Sequence, residues 1–178
     1  MTITATPAKQ RLGFTLIELL VVIGIMAVLI SILFPVIRRS RQQSQALACK
    51  SQLHDIGAAM QMYLNYNKGH YPLSPQLPSV NPNGYETVMK LLAPYNGSQP
   101  RIFHCPADEE TFQKENTSYF YYSELGITPI GQTFFYKVFK SASAVPMLWD
   151  AENFHGGSVP FNWLFADGHV DQFLSGAN

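Results

Sequence analysis

Residues 14–37, FTLIELLVVIGIMAVLISILFPVI, are a continuous apolar run that carries a single carboxylate, Glu18, near its start. At about 1.5 Å per residue a helix of this length measures roughly 36 Å, enough to cross the hydrocarbon core of a bilayer. The run limits what the chain can become, because so apolar a helix must face lipid or other apolar helices, and any soluble domain has to be built from the residues beyond it. Glu18 is the exception in the run. An acidic side chain inside a spanning helix is costly and therefore marks a functional site by default, the bland alternative being a glutamate that only snorkels to the headgroups. Pro35 lies inside the same helix, where a missing N–H and a ring clash four residues back predict a kink or local melting over residues 31–35.

The chain has 178 residues, so about 140 remain for one modest domain beyond the apolar run. Its 12 basic and 12 acidic side chains cancel, and without Lys9 and Arg11 the remainder carries ten basic against twelve acidic. That balance argues against a polyanion-binding surface, and no nucleic-acid partner is expected. The flanking charges do not fix orientation, since Lys9 and Arg11 precede the run while Arg38, Arg39 and Arg41 come after it. A secretory signal peptide would have a shorter apolar core ending at a small-residue cleavage site, whereas this run leads into Pro35 and an arginine cluster.

The apolar run is preceded by a short basic leader and opens with Gly13-Phe14-Thr15-Leu16-Ile17-Glu18. In this it resembles the class III leader of type IV pilins and type II secretion pseudopilins. The resemblance covers roughly the first third of the chain, and its glycine, aromatic residue, glutamate spacing, apolar length and basic leader must all coincide. It implies that a prepilin peptidase cuts between Gly13 and Phe14 and methylates the new amino group of Phe14, leaving Glu18 as the fifth residue of the mature chain. It also places Pro35 where many members carry a helix-bending proline. The implied domains are a leader over 1–13, a transmembrane and polymerisation helix over 14–37, and a periplasmic globular domain over 38–178. The implied partners are other pilin-like subunits, the peptidase and an inner-membrane assembly platform. In such a stack the Phe14 amino group of one subunit would meet Glu18 of its neighbour.

Beyond the polar stretch RRSRQQS (38–44), Ala46, Cys49, Leu53, Ile56, Met60, Tyr63 and Asn67 recur at alternating spacings of three and four. That period predicts a helix with one buried face, reaching about Tyr66 and stopped by Asn67, Gly69 and Pro72. Four prolines mark 71–84 as a loop, and 85–95 reads as a short helix with Val88, Leu91 and Leu92 on one side. An acidic patch lies further on at Asp108, Glu109 and Glu110. Aromatic and β-branched residues predict strands at 119–123, 133–139, 145–149, 162–166 and 169–174, and Asp167-Gly168 between the last two signals a tight hairpin. The expected fold class is α+β: a long amino-terminal helix, transmembrane in its first half, packed on a small, mainly antiparallel sheet, as in pilin-like proteins.

The segments CKSQLHDIGAAMQMYLNYNKGHYP, Cys-Pro-Ala-Asp at 105–108 and HGGSVPFNWLFADGHVDQF resemble pilin-like proteins with a carboxy-terminal H-x9-DG element. That element maps onto His155, Asp167 and Gly168, although eleven residues separate the histidine from the aspartate here. Cys49 and Cys105 both lie in the part that would be exported, where a pair suggests a disulfide closing a loop of about 55 residues. Two small buried hydrophobes remain the alternative. His104 beside Cys105, with His54, His70, His155 and His169 scattered, lacks metal-ligand spacing, so no metal centre, catalytic residue or cofactor is expected. Asp150, Glu152, Asp167 and Asp171 could gather around calcium, although their spacing fits turn-forming or solvated carboxylates better. The function these features predict is a non-enzymatic filament subunit of a type II secretion pseudopilus or a type IV pilus-like fibre. The contrasting reading is a membrane-tethered periplasmic binding or enzymatic domain that does not polymerise.

Overall fold

The computed structural model describes residues 15–155 and 161–173. Helix α1 runs over Leu16–Tyr66, 51 residues without a break. It ends where the sequence supplies stop signals. Asn67 returns both its main-chain and its side-chain N–H to the Tyr63 carbonyl at 2.9 Å. Gly69, at a left-handed φ of 81°, donates to the Leu64 carbonyl at 2.7 Å, closing the last turn as helix C-caps do. The helical run passes through Pro35 unbroken, so the melting offered as one form of its effect does not occur.

The chain divides into two compact units between Ser40 and Arg41. In the first, every side chain over 15–40 is exposed, including the whole apolar run, and the helix there is long and apolar enough to cross a membrane. In the second, the helix buries Ala46, Cys49, Leu53, Ile56, Gly57, Ala59 and Met60. This is the predicted stripe. Leu53, Ile56 and Met60 are fully buried, each worth about 1.5–3 kcal/mol relative to exposure. The stripe widens at Gly57, where an added Cβ would stand 2.9 Å from Leu164 Cδ1, so the missing side chain lets the helix approach the sheet.

Among the described residues the sheet has four antiparallel strands in sequential order: β1 (Tyr119–Tyr121), β2 (Pro146–Asp150), β3 (Phe161–Phe165) and β4 (Val170–Phe173). Its register places Tyr119, Tyr121, Leu148, Asp150, Asn162, Leu164 and Val170 on one face, and there Tyr119, Tyr121, Leu148 and Leu164 join the α1 stripe in one core. The other face carries stacked rings. Trp149 and Trp163 pair across strands at 5.1 Å, and Phe120 meets Trp149 edge-on at 5.9 Å. β3 and β4 are joined by the four-residue loop Ala166-Asp167-Gly168-His169. Gly168 donates to the Phe165 carbonyl at 2.9 Å with φ at 91°, a conformation that favours glycine. The result is the α+β, pilin-like architecture expected from the sequence, a long apolar amino-terminal helix followed by a small antiparallel sheet.

Three expectations are corrected. Residues 133–139 form no strand; Phe134–Phe139 is a short helix, preceded by a 3-10 turn at Ile130–Gln132 and ended by Lys140 in the left-handed region. No strand position was open beside β1, because loops occupy that side: Tyr121 N–H donates to the Gln76 carbonyl at 3.2 Å and Ser118 N–H to the Phe103 carbonyl at 2.8 Å. The helix expected over 85–95 is shortened to α2 (Val88–Leu92) followed by a 3-10 turn at Ala93–Tyr95 that contains Pro94. Finally, Asp108 does not share an exposed acidic patch with Glu109 and Glu110. It is buried, and its carboxylate accepts the N–H groups of Glu110, Thr111 and Phe112 at 2.8–3.0 Å and the Ser118 hydroxyl at 2.6 Å. In that position it caps helix α3 (Thr111–Glu115).

Candidate functional site

The amino-terminal site is built on the first turn of α1. Thr15 precedes the helix, and its carbonyl accepts the first intrahelical bond from Leu19 N–H at 3.3 Å. Its hydroxyl oxygen accepts the Glu18 N–H at 3.3 Å. In return Glu18 Oε2 accepts the Thr15 N–H at 2.9 Å and the Thr15 O–H at 2.7 Å. This is a reciprocal capping box, which satisfies donors a helix start would otherwise leave open. It folds the carboxylate back toward the amino terminus, while Leu16, Ile17, Leu19 and Leu20 beside it are all exposed. Thr15 is absent from the site expected on sequence grounds, although its signal is present in the Thr-x-x-Glu spacing directly before an apolar run. Gly13 and Phe14, the expected processing pair, lie outside the described residues.

The carboxy-terminal motif residues go to two different places. His155 is 2% exposed, and its Nε2 stands 3.3 Å from Asp150 Oδ2 and 3.2 Å from Asn162 Nδ2. Asp150 Oδ2 also accepts the Asn162 main-chain N–H at 2.8 Å and its side-chain N–H at 3.0 Å. Gln172 Nε2 donates to Asn162 Oδ1 at 3.3 Å and extends the network to β4. Asp167 instead serves the hairpin tip. Its Oδ1 contacts His169 Nδ1 at 2.5 Å and accepts the His169 N–H at 3.2 Å, and the His169 ring stacks on Phe165 at 4.4 Å. Burial pushes the Asp167 carboxyl up, but the hydrogen bonds from His169 outweigh it and hold the group below the usual carboxylate range. Of the four carboxylates considered for calcium, Asp150 faces the core, whereas Asp171 pairs with Trp163 on the opposite face of the sheet. The four do not face one point.

Cys49 and Cys105 are joined in a disulfide with Cα atoms 5.0 Å apart, tying α1 to the segment before α3. Tyr119 reinforces the junction, its hydroxyl donating to Gln52 Oε1 at 2.9 Å. A ring nitrogen of His155 lies within 4.8 Å of both sulfurs. No local spacing links the cysteine pair to His155, because the three residues stand so far apart in sequence.

A helix whose amino-terminal half is apolar and unburied, followed by a small antiparallel sheet, is an α+β, pilin-like architecture that fits a membrane-anchored protein. Residues 8–34 match the family model described as the prokaryotic N-terminal methylation motif. That span covers Gly13, Phe14, the Thr15–Glu18 capping box and most of the exposed apolar run. No curated protein and no solved structure matches the chain. The motif points to prepilin-peptidase processing and to a structural subunit rather than an enzyme.

Proposed function

We propose that the chain is a pilin-like filament subunit, inserted in the bacterial inner membrane with residues 38–178 in the periplasm. Prepilin peptidase cuts it between Gly13 and Phe14 and methylates Phe14. An inner-membrane platform then polymerises it with like or related subunits into a type II secretion pseudopilus or a type IV pilus-like fibre. One observation carries this reading: the methylation motif over 8–34 coincides with the fully exposed part of α1 over 15–40, whose sole carboxylate is held at the first turn of the helix. A membrane anchor alone has no need of a glutamate there.

Cleavage would turn the Phe14 nitrogen into a cation two positions before the helix begins. In a stack of parallel helices this cation is the natural partner for Glu18 of an adjacent subunit. The low dielectric between packed apolar helices makes a paired register tolerable and a mismatched one strongly unfavourable, so the pair sets the axial offset rather than the overall affinity. The capping box supports this role, because it gives the carboxylate polar partners while the subunit waits in the membrane. A buried His155 and a hairpin turn at Asp167-Gly168 are in keeping with kinship to the H-x9-DG subgroup, from which the chain departs in having eleven residues rather than nine between them.

Mass spectrometry of the native amino terminus tests the processing step, and methylated Phe14 is the expected first residue. Glu18→Ala should be cleaved and methylated normally yet fail to enter filaments in shear or pull-down fractions. An intact leader on a monomeric membrane protein would replace this reading with the tethered-domain one. Unchanged filament yield from the Glu18 variant would remove the register argument.

A further inference from the structure

The core holds a donor set that neither filament assembly nor the methylation motif uses. Cys49 and Cys105 are fully buried, His155 is 2% exposed, and two sulfurs and one ring nitrogen lie within 4.8 Å of one another. His155 Nε2 faces the Asp150 carboxylate, whose Oδ2 already accepts two N–H groups from Asn162. Asn162 Nδ2, 3.2 Å from Nε2, gives an N–H to that same oxygen, and a lone pair on Nε2 would point at the negative charge, so the arrangement favours the proton on Nε2 and the lone pair on Nδ1. Among the described residues His155 Nδ1 has no hydrogen-bond partner, although it is buried. An unpaired polar atom in such a place calls for a partner, and a bound ion is one that fits it. A carboxylate on one ring nitrogen with the other left free is also the arrangement that orients a metal-binding histidine.

We propose that, once the disulfide is opened, Cys49, Cys105 and His155 form a buried Zn2+ site, with Asp150 as the positioning residue behind His155. Opening takes two electrons from a dithiol, which becomes a disulfide while the two cysteine sulfurs take up its two protons. Zn2+ would then form one bond to each sulfur, one to the imidazole nitrogen and one to a water molecule in the fourth position, and the two thiol protons leave to solvent. Two thiolates cancel the charge of the ion, so the occupied site is neutral and suits an apolar surrounding. Two thiolates and an imidazole select zinc-class ions over calcium or magnesium, which prefer oxygen. Bonds of about 2.3 Å in a tetrahedral array would hold the sulfurs roughly 3.8 Å apart, a separation that cysteine rotation on fixed Cα atoms can supply. Disulfide and metal are thus alternative closures of one junction between α1 and the segment before α3.

The test uses the full chain in detergent micelles, reduced with a phosphine, which leaves as its oxide after taking oxygen from water. Co2+ is the probe. Reduced protein should bind one Co2+ with thiolate-to-metal charge transfer and the intense visible bands of a four-coordinate ion, and Zn2+ should displace it and protect both thiols from alkylation. Oxidised protein should show none of this. Asp150→Asn should weaken binding by about 10–100-fold, the usual effect of losing a partner behind a ligand, and His155→Ala by more. Near-ultraviolet circular dichroism of the oxidised variants establishes that they fold. Co2+ bound without charge transfer would overturn the proposal. So would equal affinity in His155→Ala, or a reduced chain that is unfolded and stays so when Zn2+ is added.

Discussion

Removing the Cys49–Cys105 bond should lower the stability of the globular unit by an amount set by chain length. The bonded residues are 56 apart in sequence, and the chain-entropy relation for a loop of that size gives about 4 kcal/mol at room temperature. For a domain of about 140 residues, 1 kcal/mol corresponds to roughly 3–4 °C, so Cys49→Ala with Cys105→Ala should melt about 12–16 °C below the parent. The readout should be near-ultraviolet circular dichroism, where the stacked Trp149 and Trp163 report the sheet, because the detergent-bound part of α1 dominates the far-ultraviolet signal. A chelator keeps metal from holding the junction in reduced controls. Both cysteines are fully buried, so deletion of their sulfurs adds a small packing loss in the same direction. A fall of less than about 4 °C, with the bond present in the parent by mass, would refute the loop-closure account; it would mean that the unfolded chain already keeps α1 near residue 105.

Gly126→Ala should destabilise the domain by about 1–3 kcal/mol, read as a lower melting temperature, because the new Cβ would overlap the Pro72 carbonyl and stand 2.8 Å from Leu73 Cα, main-chain atoms that cannot swing aside. That same carbonyl accepts the Tyr121 hydroxyl at 2.8 Å, so the tyrosine contact should loosen with it. Burial raises the phenol pKa of both Tyr119 and Tyr121 above the ordinary value of 10.0, with nearby acidic side chains and tyrosines adding to it. Their contribution is complete below pH 10 and is lost above it, as the unfolded chain ionises while the folded chain stays protonated. With two such groups stability should fall by roughly 2.7 kcal/mol per pH unit there, and phenolate absorbance for these residues should appear only together with unfolding. Thr15→Val keeps the main-chain half of the capping box and removes the hydroxyl half, so hydrogen exchange at the Glu18 amide should accelerate about fivefold. No acceleration would show that the hydroxyl does not hold the first turn.

Helices read well from this sequence where one physical signal dominates. The three-and-four spacing from Ala46 to Met60 can satisfy only one helical face, and that face is buried. Strand prediction fails at 133–139, because FFYKVF has the aromatic, β-branched composition of a strand, while Phe135 makes its edge contact with Tyr122 at 5.4 Å from a helical turn. Propensity is a weak prior, and packing overrides it. Asp108 misleads for a related reason. Three charged residues in a row look solvated, and only the fold shows that the first is enclosed by main-chain donors.

By itself the sequence determined the amino-terminal segment: the methylation motif over residues 8–34, the single carboxylate at position 18 and the exposed apolar helix. Each of these is a local property, set by consecutive residues and by the period of one helix, so no distant contact could alter it. The tertiary structure alone decided which faces of the sheet carry Asp150 and Asp171, what covers the edge at β1, and that Cys49, Cys105 and His155 meet. The last of these brings together Cys49 and His155, more than 100 positions apart. Their proximity follows from the pairing order of the strands against α1, which no stretch of neighbouring residues encodes.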